Sequence, residues 1–217
     1  KNILPLSVDE TVSEKIFRKN PRSEKTIIQG INSTGVNELF STGDMLTTVL
    51  KDVFQDIDIY EDRFRFLQYP FDSPVSDAGI RFYKFYIMDT VYVERDKCFH
   101  LSFVPNNSQD FTGHLYILAD STYRVKECQL NLPKKTDINF VDNMIIDQKF
   151  GELPTGEWAL LEDDMLCELS YLKKVLGSYL VRRTTRYFDF TFDPLPDKLF
   201  KKKGDEIKDV NAMMRDD

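Results

Sequence analysis

The residues whose types and spacing come nearest to chemistry are Cys98, His100 and His114, and the chain of 217 residues holds no other histidine. In a strand, positions two apart share a face, so Cys98 and His100 point the same way. If Val104 opposes Thr112 across the next loop, His114 falls diagonally from His100 on that face, where thiolate and imidazole could hold a zinc ion. A closed zinc site wants four ligands, and no fourth stands at a diagnostic spacing. The competing reading is a set of polar strand positions, and the expectation is no bound metal and no cofactor.

Other constellations are thinner. The sequence has no nucleophile elbow, phosphate loop, dinucleotide fingerprint or H-E-x-x-H pair, so no catalytic residue is assigned. Carboxylates cluster at Asp56, Asp58, Glu61 and Asp62, and again at Glu162, Asp163 and Asp164. They leave a carboxylate-dependent hydrolase as an alternative, against solvated turns and strand ends as the usual fate of such runs. Arg182 and Arg186 fall on one face of a strand and Arg183 on the other. The first two are the candidates for binding a partner, and a charged edge strand that resists aggregation is the other reading. Three cysteines, Cys98, Cys128 and Cys167, are too few and too scattered for a disulfide scaffold. With 29 basic and 36 acidic residues the net charge is −7, which argues against a nucleic-acid partner.

The elements that must position these residues change character along the chain. The spacing Ser7 to Glu10 fits a capping box and predicts a helix over 7–18, ended by Asn20-Pro21. Leu39, Met45, Leu46, Val49, Leu50 and Val53 predict a second helix over 36–54. From about residue 56 the period becomes two, and strands are expected at 57–67, 81–94, 97–104, 113–119, 123–132, 139–150, 158–161, 165–172 and 178–192. Their short connections require antiparallel neighbours. A three-residue turn at 119–121 would set Leu115 opposite Val125 and Ile117 opposite Tyr123. Aromatics on both faces of 81–88 suggest a strand covered on both sides.

The expected fold is therefore α+β, with amino-terminal helices packed on a curved, mainly antiparallel meander, a half-barrel. It occupies 1–196, the helical part about 7–54 and the sheet about 56–192, with a charged linker at 197–217 leading toward a further carboxyl-terminal region. The dry face should carry Tyr83, Phe85, Phe99, Leu101, Phe103, Leu115, Ile117, Phe140, Met144 and Trp158. These would line a pocket for a lipid or other apolar ligand, or fill it as core. No apolar run approaches the ~18 residues of a spanning helix, and Lys1 in place of Met leads us to expect a longer precursor whose signal lies upstream.

Several motifs resemble a known family. They are the run from Phe82 to Tyr86 with Asp89-Thr90, the stretch from Cys98 to Pro105, the stretch from Phe111 to Tyr123, and Leu132-Pro133 followed by the run from Ile138 to Val141. Together they resemble envelope proteins of bacteroidete-type Gram-negative bacteria, in which an uncharacterised domain follows a carboxypeptidase-regulatory-like β-sandwich. The resemblance implies a non-enzymatic module on the periplasmic side of the outer membrane. Its partners would be the other domains of the same polypeptide, the regulatory-like domain and a carboxyl-terminal barrel, or an envelope component. A purely structural bridge between those domains is the alternative. The strand order also resembles the half-barrel of periplasmic lipoprotein carriers, which implies an acyl-binding concavity.

Overall fold

The computed structural model describes residues 7–35, 55–66, 69–106, 110–132, 141–170, 179–200 and 206–207. The chain divides into two compact units, one of Lys1–Thr47 with Thr191–Asp217 and one of Thr48–Phe190.

The larger unit is built on one sheet. β-branched and aromatic residues at alternate positions extend the chain, because such side chains pack well on a pleated, half-buried surface. Counting from the amino end, its strands are β3 (Arg63–Phe66), β4 (Tyr69–Asp72), β5 (Tyr83–Val93), β6 (Asp96–Pro105), β7 (Thr112–Leu118), β8 (Val125–Leu132), β9 (Val141–Glu152), β10 (Trp158–Leu169) and β11 (Tyr179–Arg186). A single turn of helix, α1 (Gly79–Phe82), leads into β5. Strands β5 to β11 form a seven-stranded antiparallel meander in chain order, with β5 and β11 at its edges, while β3 and β4 pair as a separate hairpin. The two segments expected at 158–161 and 165–172 form one strand, β10, which pairs with β9 along its whole length through two register shifts.

One face of this sheet is dry. Phe103, Leu115, Leu130, Ile146 and Met165 form its inner side with Tyr83, Met144 and Leu169. The β3–β4 hairpin and the segment before it cover that side with Ile57, Ile59, Phe64, Phe66 and Phe71. Phe71 meets Phe111 edge-on at 4.8 Å, and Tyr83 meets Phe103 edge-on at 5.4 Å, arrangements that suit the ring quadrupoles. The Tyr83 hydroxyl donates to the Asp72 carbonyl at 2.7 Å and ties β5 to the hairpin. Gly113 is required where it stands. A Cβ there would lie 1.9 Å from the Gln129 carbonyl oxygen and 2.8 Å from the Phe103 ring.

Two local expectations are corrected. Leu115 opposes Cys128 and Ile117 opposes Val125, not Val125 and Tyr123. The β7–β8 link runs from Ala119 to Arg124 because Asp120 Oδ1 accepts hydrogen bonds from Thr122 N at 2.8 Å, Thr122 Oγ1 at 2.6 Å and Tyr123 N at 3.3 Å, an Asx-type turn. A bulge beside Tyr116 then absorbs the odd residue, so apolar still meets apolar. Strand β5 is covered on one side only. Tyr83 and Phe85 face the core, whereas Tyr86, Ile87 and Met88 are exposed on the strand that ends the sheet.

The smaller unit overturns the helical expectation for the amino end. Ser7–Arg18 is strand β1, paired antiparallel with β2 (Ser23–Gly35), and β12 (Glu206–Ile207) adds in parallel to β2. Among the described residues no amino-terminal helix packs on a sheet, and the fold is nearly all β. The physical reason is that Val8, Thr11, Val12 and Ile16 are β-branched and find a β-branched partner strand in Thr26, Ile27, Ile28 and Ile31. Ladder pairing then outweighs a capping-box signal worth about 1 kcal/mol. The helix expected at 36–54 lies outside the described residues. A small cluster of Ile16, Ile27 and Phe200 closes this unit, with the Arg18 guanidinium 4.4 Å above the Phe200 ring and 2.5 Å from Asp197 Oδ1. Phe200 lies in the stretch read as an exit linker.

Candidate functional site

The ten residues expected on the dry face divide by position. Tyr83, Phe103, Leu115 and Met144 are buried in the core of the larger unit, with Phe103 only 1% exposed. Phe85, Leu101, Ile117 and Trp158 are half-buried against the same cluster. Phe99 is exposed at the far end of β6, and Phe140 lies outside the described residues. Trp158 has a specific task. Beside the β8 bulge, Trp158 Nε1 donates to the Val125 carbonyl at 3.1 Å while the Tyr60 hydroxyl accepts from the Val125 N–H at 3.3 Å.

Within this apolar layer, among the described residues, runs a polar chain whose members the spacing in the sequence does not bring together. Gln148 Nε2 donates to the Ile57 carbonyl at 2.7 Å and to Asp163 Oδ1 at 2.9 Å. Arg183 Nη2 reaches Asp163 Oδ2 at 2.8 Å and Nη1 reaches Asp56 at 3.1 Å. Burial pushes the Asp163 carboxyl upward, against the hydrogen bonds from Gln148 and Arg183. At 1% exposure a carboxylate keeps its place only when paired in this way. The signal lay in the strand parity that separates Arg183 from Arg182 and Arg186, which the structure reproduces. The thiols of Cys128 and Cys167 are buried on the same side, and burial raises the Cys167 pKa to about 12. Such thiols are inert packing groups.

The outer face is polar and lies in straight rows. One row crosses all seven strands through Asp89, His100 and Tyr116, then Glu127, Lys149, Glu162 and Arg186. The neighbouring row holds His114, Gln129, Asp147, Asp164 and Thr184. Between them lies a groove of about 300 Å³ lined by Tyr116, Glu127, Asp147, Lys149, Asp164 and Arg182 among others. Its charges are largely matched across strands. Arg182 grips Asp164 through two nitrogens at 2.8 and 2.9 Å, and Arg186 meets Glu162 at 3.1 Å. The Arg182 hydrogen bonds hold the Asp164 carboxyl below the usual carboxylate range, while burial moves Glu127 up. The two arginines named as partner-binding candidates are thus engaged with acids of the adjoining strand.

The two histidines meet on this face as the β6–β7 register required, with Ser102 opposite His114. His100 Nε2 lies 2.9 Å from His114 Nδ1, and His100 Nδ1 donates to Asp89 Oδ1 at 2.8 Å. The His100 ring stacks on Tyr116, 4.7 Å between centroids and 9° from parallel. Cys98 does not join them. It is fully buried, its Sγ 3.6 Å from the Asp96 carbonyl, and burial raises its thiol pKa. Asp89 takes its place beside His100 because a bulge in β5 inserts Met88 between Ile87 and Asp89 and reverses the face of everything after it. Nothing in the sequence marks that bulge.

No solved structure matches this chain. The family described as "Family of unknown function (DUF5686)" matches residues 2–187. The chain therefore belongs to that family of unknown function.

Proposed function

We propose that this chain is a non-enzymatic binding module of a larger envelope polypeptide, acting on the periplasmic side of the outer membrane, and that it holds an extended segment of a neighbouring domain along the free edge of β5. The observation that carries this reading is the edge itself. Ile87 is 80% exposed and Tyr92 73%, with Tyr86 and Met88 also more than half exposed, on the strand that ends the sheet. An edge strand offers unpaired backbone donors and acceptors, and one that also shows large apolar side chains is an interaction surface or an aggregation hazard. Addition of a strand uses both features at once: main-chain hydrogen bonds for affinity and side-chain contacts for register. The opposite edge, β11, differs, because Arg182, Arg183 and Arg186 make it charged.

The inner face supports the same choice over an acyl-binding concavity. Tyr83, Phe103, Leu115 and Met144 share one buried cluster with Phe64, Phe66 and Phe71, and Phe85, Leu101, Ile117 and Trp158 pack against it. A photo-crosslinking phenylalanine analogue at Ile87 or Tyr92, in the chain with its flanking domains, tests the proposal. The expected product is an intramolecular crosslink to a flanking domain, mapped by mass spectrometry. Absence of any intramolecular product from both positions, with the side chains open to solvent labelling, overturns it.

A further inference from the structure

The contact between His100 and His114 is a hydrogen bond from ring to ring, and its geometry sets how many protons the pair can hold. With both rings neutral, His100 Nδ1–H donates to Asp89 Oδ1 at 2.8 Å, which leaves the His100 Nε2 lone pair to accept from His114 Nδ1–H at 2.9 Å. A first added proton fits without movement. It enters on His114 Nε2, and the one hydrogen between the rings, whichever nitrogen carries it, then makes a charge-assisted bond. A second added proton places hydrogens on His100 Nε2 and His114 Nδ1 together, aimed at each other across 2.9 Å between two positive rings. The contact must then open.

The surroundings favour the first step and resist the second. Asp89 faces the pair from β5, and Tyr116 of β7 stacks on His100. Glu127 of β8 stands opposite Tyr116, Gln129 opposite His114, and Asp147 of β9 opposite Gln129, so two more carboxylates lie in the same rows. The lysines on these strands are held by acids: Lys126 by Glu94 at 3.1 Å and Asp96 at 2.9 Å, and Lys149 by Glu162 at 3.6 Å. Burial, and then the charge of His100, hold His114 below the ordinary imidazole range. A group lowered in this way binds its proton more readily in the unfolded chain. Stability is therefore kept above a pH of about 6.5 and falls as the pH drops below it.

We propose that His100 and His114 form a proton-sharing clasp across β5, β6 and β7 that accepts one proton and opens on the second, which makes this end of the sheet acid-sensitive. The clasp joins Asp89 of β5 to His100 of β6 and His114 of β7, and β5 is the strand that ends the sheet. Opening leaves the His100 imidazolium with Asp89 and frees His114, so the side-chain tie between β6 and β7 is lost in acid. The device belongs to the chain itself and stands whatever docks on β5.

The test follows the ring nitrogens of both histidines by nuclear magnetic resonance as the chain, purified without a histidine tag, is titrated from neutral to acid pH. The expected result is two protonation steps more than about one pH unit apart, with both rings responding to each step. In His114→Gln, whose amide nitrogen still donates to His100 Nε2, His100 should titrate in one step. The fall in urea midpoint between about pH 7 and about pH 5 should also be smaller there than in the unaltered chain. In His100→Gln the His114 step should move up toward the ordinary range, because the opposing charge is gone. The titration of the unaltered chain decides the matter if either variant fails to fold. A single step common to both rings, or two steps whose midpoints stay put when the other histidine is replaced, overturns the proposal.

Discussion

On the inner face of the sheet Met165 opposes Ile146, which opposes Leu130; one residue earlier in β10, on the outer face, Asp164 opposes Asp147, which opposes Gln129. The same strands thus present two chemistries 180° apart. The outer rows balance charge in water, where each exposed pair contributes about 0–1 kcal/mol. The inner rows exclude water, and the charged chain they hold among the described residues, Gln148–Asp163–Arg183, persists because the Asp163 carboxylate would otherwise be a buried, unpaired charge. Burial, and not the kind of residue, decides what a substitution costs.

The contrast can be broken at graded points. Phe103→Ala should be the most destabilising, by about 3–5 kcal/mol in urea denaturation, because it empties a site touching Tyr83 and Phe85. Gly113→Ala, on the same row, should cost about 1–3 kcal/mol, since the new Cβ meets the fixed Gln129 carbonyl. Trp158→Phe keeps most of the apolar bulk and loses the bond to the Val125 carbonyl, and the unfolding free energy should fall by about 1 kcal/mol. On the outer face Arg186→Ala should change stability by less than about 1 kcal/mol, because that side chain is mostly in water. A result for Arg186 as large as that for Phe103 would erase the distinction between the faces.

What could be read in the sequence follows from the same physics. Period-two alternation from β6 to β9 placed Phe103, Leu115 and Met144 in the core and put His114 beside His100, because a buried face tolerates only one register. Parity likewise separated Arg183 from Arg182 and Arg186. Bulges were invisible: the extra residue at Met88 turned Asp89 toward His100, and the one near Tyr116 moved Val125 opposite Ile117. A capping signal is local and predicts a helix at 7–18, while the partner that makes β1 a strand lies beyond a turn. Exposure of β5 was missed for a related reason. Aromatics on both faces can mean cover on both sides or a free edge, and only the strand order distinguishes them.

The most direct test of the two-faced account compares Asp163→Ala with its neighbour Asp164→Ala by urea denaturation at neutral pH. Both remove one carboxylate hydrogen-bonded to an arginine of β11 at 2.8 Å. The account predicts a loss of about 3–5 kcal/mol for the buried position and less than about 1 kcal/mol for the outer one. Equal losses, or a larger one at Asp164, would contradict it.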